Sequence, residues 1–242
     1  MSPLITVEKT GPVALAVMHA PKANALSDAF VSELRQVLHD VETDPDMGCL
    51  ALISGHRSFC SGADLESIKE AKPDPLEPSV YAAFGRIYDL FGALLNAKIP
   101  TIAGLAGHVV GAGINLALAC DLRIAADNLL VRGFAAAHVH PGGGHLRMLT
   151  GQLRPDWAAA LALFGQPLDA NAAVVSGFAL RTVSADDLRK EVLEVAAGVG
   201  SDVELIRSVT ASYRATQSSV LSPQAAIQLE RAPQVWSLHR RP

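Results

Sequence analysis

The chain has 242 residues, half of them hydrophobic and only 18% charged, enough for one large core or two modest domains. A formal net charge of −4 and a pI near 6.0 exclude the domain-wide basic face that nucleic acid or an anionic membrane would require. Three widely spaced cysteines, Cys49, Cys60 and Cys120, with no CxxC pair, argue against a disulfide framework or a zinc site; they read as small core residues of a protein in a reducing cytoplasm.

No basic segment precedes an apolar one at the start, so no signal peptide is expected. Two β-like runs, Leu4–Val7 and Val13–Met18, are broken by Thr10-Gly11-Pro12 and read as a hairpin-like start. Pro21–Leu26 is a turn. Ser27 caps a helix in which Phe30, Leu34, Val37, Leu38 and Val41 recur on one face, stopping before Asp44-Pro45. Leu50–Ile53 is a buried strand, and His56–Leu65 a loop leading into a helix. Lys72–Pro75 is a surface loop. Tyr81, Phe84, Tyr88, Phe91 and Leu95 share a helical face.

From Ile99 to Cys120 no residue is formally charged, but Pro100, four glycines, His108 and Asn115 rule against a membrane span. A strand at Thr101–Leu105, a turn at Gly107–Gly113 and a buried helix through Ala119 fit better. Leu122–Ala125 and Leu129–Val131 read as further strands. A glycine turn at Pro141–Gly144 then opens a helical half, with no strand signal after about Asp186. Strands alternating with helices make the chain α/β. Residues 1–185 are expected to form the core, and 186–242 a helical region packed on its own domain or on a neighbouring subunit.

Two segments carry the chemistry. In Phe59-Cys60-Ser61-Gly62-Ala63-Asp64-Leu65, small residues after a strand let a ligand approach the backbone. Gly107-His108-Val109-Val110-Gly111-Ala112-Gly113-Ile114-Asn115 repeats the logic of strand, glycine turn and helix start. The N–H groups of a helix's first turn lack internal partners, so two such ends converging on one point would stabilise an oxyanion. Taken singly, each is an ordinary tight turn.

Together, Phe59–Leu65 and Thr101–Ile124 resemble the crotonase (enoyl-CoA hydratase/isomerase) superfamily. The strings that carry the likeness are Phe-Cys-Ser-Gly-Ala-Asp-Leu and Gly-Ala-Gly-Ile-Asn-Leu-Ala-Leu-Ala-Cys-Asp-Leu-Arg-Ile-Ala. Pro21-Lys22-Ala23-Asn24-Ala25-Leu26-Ser27 is similar to the family's early CoA-contacting loop, and Leu163–Gly177 to its later helix-turn stretch. The resemblance implies a spiral of ββα units with a helical C-terminal region that serves oligomerisation, assembled as a homotrimer or hexamer. It implies an acyl-CoA substrate, with coenzyme A as part of that substrate and neither a separate cofactor nor a metal. The oxyanion donors would be the amides of Ala63 and Ala112, the latter replacing a glycine. Lys22, Ala23, Asn24, Ala25, Ser61, Gly62, Asp64, Leu65 and Gly111 would contact the coenzyme.

The departures bear on mechanism. Hydratases of the family use two glutamates as acid and base; here their places fall on Asn115 and, by ungapped alignment at Pro141-Gly142, on Phe134. Neither side chain exchanges protons in that role. Three histidines cluster instead in His138-Val139-His140-Pro141-Gly142-Gly143-Gly144-His145, where the family faces its acyl group. A histidine beside a turn often bonds only local backbone, but His140, His145 and His138 are candidate acid–base groups; their spacing fits no zinc pattern. Asp64 and Glu66 could orient the first loop. His108 is expected to pack beneath the second loop, and His56 and Arg57 to be solvated. The expectation is an acyl-CoA lyase, isomerase or hydrolase acting through an enolate, in acyl or aromatic acid metabolism. The alternative is a non-catalytic acyl-CoA binder. The short chain end past Ser222–Leu238 suggests that late coenzyme contacts are missing or come from a partner.

Overall fold

The computed structural model describes residues 3–64, 78–137 and 139–217. The expected features at Leu65, Glu66, Lys72–Pro75, His138 and Ser222–Leu238 lie outside them.

Among the described residues, nine strands form two sheets. β1 (Ile5–Thr10), β2 (Val13–Met18), β3 (Cys49–Ser54), β4 (Thr101–Leu105), β6 (Leu122–Ala126) and β9 (Arg181–Val183) stand in the order β1-β2-β3-β4-β6-β9; all neighbours are parallel except the β1–β2 hairpin. β5 (His108–Val110), β7 (Leu130–Arg132) and β8 (Leu168–Asp169) form the second sheet. The chain repeatedly runs from a first-sheet strand to a second-sheet strand and then to a helix: β4, β5 and Ala112–Ala119; β6, β7 and the short 3₁₀ helix Phe134–Ala137. An isolated parallel bridge between Cys60 and Val109 gives β3 the same continuation. This is the ββα spiral that the resemblance implies.

The inner strands are covered on both faces, which is why they read as continuous apolar runs without alternation. All six residues of β2 are buried, and its register with β3 runs from Val13 opposite Cys49 to Met18 opposite Ser54. One face packs on the helix Asp28–Thr43, whose Phe30, Val31, Leu34, Leu38 and Val41 are buried; Ser27 caps it as expected, its Oγ accepting from the Phe30 amide. The other face carries the helix Leu188–Ala196 through Leu188, Val192 and Ala196. That helix therefore packs on its own domain. A side chain at Gly104 would stand 2.7 Å from Val192 Cγ2, so glycine sets how closely the helix approaches.

Several sequence readings shift. His108–Val110 is a strand, not part of a turn, and His108 is exposed rather than packed beneath the loop. Leu168–Asp169 and Arg181–Val183 are strands inside the stretch read as helical. They are two and three residues long, too short for a period, and exist because β7 and β6 offer them an edge. In the helix Pro78–Leu95 the buried stripe is Ile87, Leu90, Phe91 and Leu94; of the aromatic row, Tyr81 is 84% and Tyr88 40% exposed. Among the described residues no helix is long and apolar enough to cross a membrane.

The segment Pro21–Asn24 is a single helical turn with three consecutive left-handed residues, Lys22, Ala23 and Asn24, at φ of 54°, 54° and 58°. Such a conformation costs roughly 1–2 kcal/mol per non-glycine residue. Hydrogen bonds hold it: Asn24 Nδ2 donates to Ser54 Oγ at 2.8 Å and to the Phe59 carbonyl at 2.9 Å, and the Ala23 and Lys22 carbonyls accept from Ser61 N and Oγ. Asn24→Ala, losing both side-chain bonds while keeping the left-handed penalty, is expected to cost about 3 kcal/mol in urea unfolding, and Asn24→Gly distinctly less. Equal losses would show that backbone strain plays no part.

Candidate active site

Both glycine loops meet at the Cys60–Val109 bridge. Val110 N donates to the Cys60 carbonyl at 3.0 Å, and the Leu26–Ala63 bridge holds the first loop from its other side. That second bridge is made by Leu26 N to the Gly62 carbonyl and by Asp64 N to the Leu26 carbonyl, so it consumes no group of Ala63. Ala112 opens the helix Ala112–Ala119, where the first amides have no intrahelical acceptor. Among the described residues, neither the Ala63 nor the Ala112 amide has a hydrogen-bond acceptor. Gly62, at φ 98°, lies between them; a side chain there would come within 2.9 Å of the Val110 carbonyl oxygen and 3.5 Å of Ala112 N. Ala112 itself needs no left-handed angle, because Gly111 takes it at φ 51°.

Both alanines line a pocket of ≈ 140 Å³. Ser61, Gly62 and Gly111 border it beside them, and Phe84, Ile87, Tyr88, Phe134 and Val139 form its apolar wall. Asn115, His140 and the Tyr88 hydroxyl are its other polar side-chain groups among the described residues, none of which lines it with a carboxylate. His140 Nδ1 stands 2.7 Å from the Pro141 carbonyl. Since a carbonyl only accepts, Nδ1 carries a proton, and in the neutral ring Nε2 is then the nitrogen with the lone pair. Tyr88 belongs to the row read only as sharing a helical face, and two phenols in that stripe are the signal that the face meets something other than core.

The remaining candidates sit around the pocket rather than in it. His145 is 2% exposed and lies behind the wall, its ring edge-on to Phe134 at 4.8 Å between centroids. Asn115, fully buried, donates from Nδ2 to the Gly142 carbonyl at 2.8 Å and accepts at Oδ1 from His145 Nδ1 at 2.7 Å. The two positions that lack a glutamate, 115 and 134, thus converge on one histidine. Lys22 Nζ pairs with Asp64 Oδ1 at 3.0 Å, tying the left-handed turn to the first loop, and Ala25 is buried beneath it. Cys60 Sγ reaches the Asn24 carbonyl at 3.1 Å; burial pushes this thiol up to about 12, so it stays a donor. His56 is not simply solvated, since its Nε2 bonds the Ala20 carbonyl at 2.9 Å. Among the described residues no cluster of His, Cys, Asp and Glu could hold a metal.

Residues 8–236 match the family model described as enoyl-CoA hydratase/isomerase. The chain is 38% identical over 242 residues to a probable enoyl-CoA hydratase, EchA14, of Mycobacterium tuberculosis, covering 97% of this chain and 91% of that one. It is 29% identical over 218 residues to the mitochondrial enoyl-CoA hydratase of Pongo abelii, covering 86% and 72%. Among solved structures, Pseudomonas aeruginosa DspI superposes with a TM-score of 0.88 at 25% identity, covering 99% of this chain and 97% of that one. An enoyl-CoA hydratase of Bacillus anthracis gives 0.88 at 24% identity, with coverage of 99% and 92%.

Burial holds the His145 imidazole down, to about 4 from 6.5. As the pH falls, the unfolded chain takes up this proton first. The stability contributed by the neutral ring is complete above about pH 6.5 and is lost as the pH falls towards 4, by on the order of 3 kcal/mol. Urea unfolding between pH 7 and 4.5 should show this decline, and His145→Gln should flatten it. An equally steep decline in the variant would place its origin elsewhere.

Proposed function

The chain belongs to the enoyl-CoA hydratase/isomerase family, and from that premise we propose that it binds an acyl-CoA thioester with the carbonyl oxygen between the amides of Ala63 and Ala112. The observation that carries this reading is the pair of unspent amides on one pocket, held together by Gly62. Two preorganised donors aimed at one oxygen favour the state in which that oxygen is negative, here the enolate of the thioester. The apolar wall excludes water and strengthens the interaction. The turn at Lys22 and Ala23 and the loop at Ser61, Gly62 and Asp64 contact the coenzyme, and Gly111 shapes the second donor; Asn24 and Ala25, expected as contacts, are buried and hold the turn from beneath instead.

Two glutamates spanning a double bond are not what this pocket offers. Asn115 has its amide committed to Gly142 and His145, and Phe134 has nothing to titrate. Of the described candidates His140 is the one that lines the pocket with a ring nitrogen left over, and its Nε2 is assigned the proton transfer at the acyl carbons. His145 acts through Asn115, as a neutral support for the Gly142 carbonyl. The reaction is an isomerisation, elimination or hydrolysis through the enolate, in a homotrimer or hexamer. The absence of a carboxylate among the described lining residues favours, as a second reading, an acyl-CoA binder without turnover.

Calorimetry with crotonyl-CoA should register binding, while the enoyl-thioester absorbance declines slowly or not at all. Fast hydration would mean that another group replaces both glutamates, and no binding would end the acyl-CoA reading. Ala112→Pro tests the donor directly. Proline is tolerated at the first position of a helix and lacks the N–H, so turnover of any reactive thioester should fall by about two to three orders of magnitude with the fold retained.

A further inference from the structure

We propose that Tyr88 selects the acyl group: its hydroxyl donates a hydrogen bond to an oxygen on the acyl chain, so the site prefers thioesters of oxo- or hydroxy-acids to plain alkyl thioesters of the same length. The inference rests on the acyl-CoA reading above and names the substrate class of that site.

Three observations carry it. Tyr88 stands at the edge of the buried stripe of the helix Pro78–Leu95, beside Ile87 and Phe91, and it lines the pocket with Ala63 and Ala112. Its ring is seated on the glycine turn. A side chain at Gly142 would come within 2.2 Å of the Tyr88 hydroxyl oxygen, and one at Gly143 within 2.8 Å of its Cδ1. Asn115 fixes that turn from the other side by its bond to the Gly142 carbonyl. Glycine at 142 and 143 leaves the space in which the tyrosine ring lies against the turn, and that contact sets where the hydroxyl sits.

Thirdly, among the described residues the hydroxyl has no hydrogen-bond partner, although Phe84, Ile87, Phe134 and Val139 make the surrounding wall apolar. Phenylalanine would supply the same packing. Tyr88 is 40% exposed, so water serves the phenol in the open pocket; an acyl chain that displaces that water without offering an acceptor is penalised. Burial also raises the Tyr88 pKa, which keeps the group protonated as a donor. The His140 Nδ1 proton is already engaged with the Pro141 carbonyl, which leaves the phenol as the donor this wall offers to an oxygen.

The test is calorimetric titration of the full chain and of Tyr88→Phe with butyryl-CoA and acetoacetyl-CoA, which match in length and differ in one oxo oxygen. The wild type should bind acetoacetyl-CoA about tenfold more tightly or better, one hydrogen bond's worth of discrimination. The variant, which keeps the ring on the glycine turn, should lose the preference, with the loss falling on acetoacetyl-CoA rather than on butyryl-CoA. A wild type without preference, or a preference that survives in Tyr88→Phe, overturns the assignment of Tyr88 and leaves the acyl-CoA reading standing. A wild type that binds neither thioester overturns both.

Discussion

The site depends on one close backbone approach, the parallel bridge between Cys60 and Val109 with glycines on either side of it. A side chain at Gly113 would stand 2.7 Å from the Cys60 carbonyl oxygen, and one at Gly62 2.9 Å from that of Val110. Only chain without Cβ atoms lets the two loops come this near. The small residues first read as room for a ligand therefore serve an earlier purpose, which is to let one loop reach the other. Once they meet, the Leu26–Ala63 bridge takes the Gly62 carbonyl and the Asp64 amide and spares that of Ala63, and the helix start leaves that of Ala112 unspent. Two donors on one pocket follow from hydrogen-bond accounting in the backbone.

The first loop is held from beneath by a strained support. Three left-handed residues at 22–24 are unfavourable alone, and their carbonyls and the Asn24 amide spend themselves on Ser54, Phe59, Cys60 and Ser61. The bonds that fix the turn are the bonds that fix the loop, so neither can relax without the other. Strain held in this way is characteristic of sites that must be rigid before a ligand arrives.

Across the pocket, positions 115 and 134 belong to one interlocked cluster. Asn115, His145 and Phe134 form one buried unit in which every proton has an assigned place: Nδ1 of the histidine on the asparagine oxygen, the asparagine amide on Gly142. A glutamate at 115 would bring a charge into surroundings that already hold the His145 ring neutral. The groups of this wall with hydrogen-bonding capacity left over are the Nε2 of His140 and the hydroxyl of Tyr88. The proposed function and the proposed selectivity both use those groups.

The sequence by itself determined the α/β class, the capped helix behind Ser27, the buried parallel strands and the two loops that meet, because each leaves a local mark: a cap, an unbroken apolar run, a glycine cluster at a strand end. It also showed that positions 115 and 134 carry no carboxylate. What only the tertiary structure decided is which candidates face the pocket. His140 and His145 are five residues apart and look alike in sequence, yet one lines the cavity and the other lies behind Asn115. Tyr88 and Phe91 sit on one helix, yet the first meets the pocket and the second the core. The strands at 168–169 and 181–183 are set by the edges that receive them. Periodicity records that a residue has a face; what stands opposite that face is supplied by chain distant in sequence, and no local pattern encodes it.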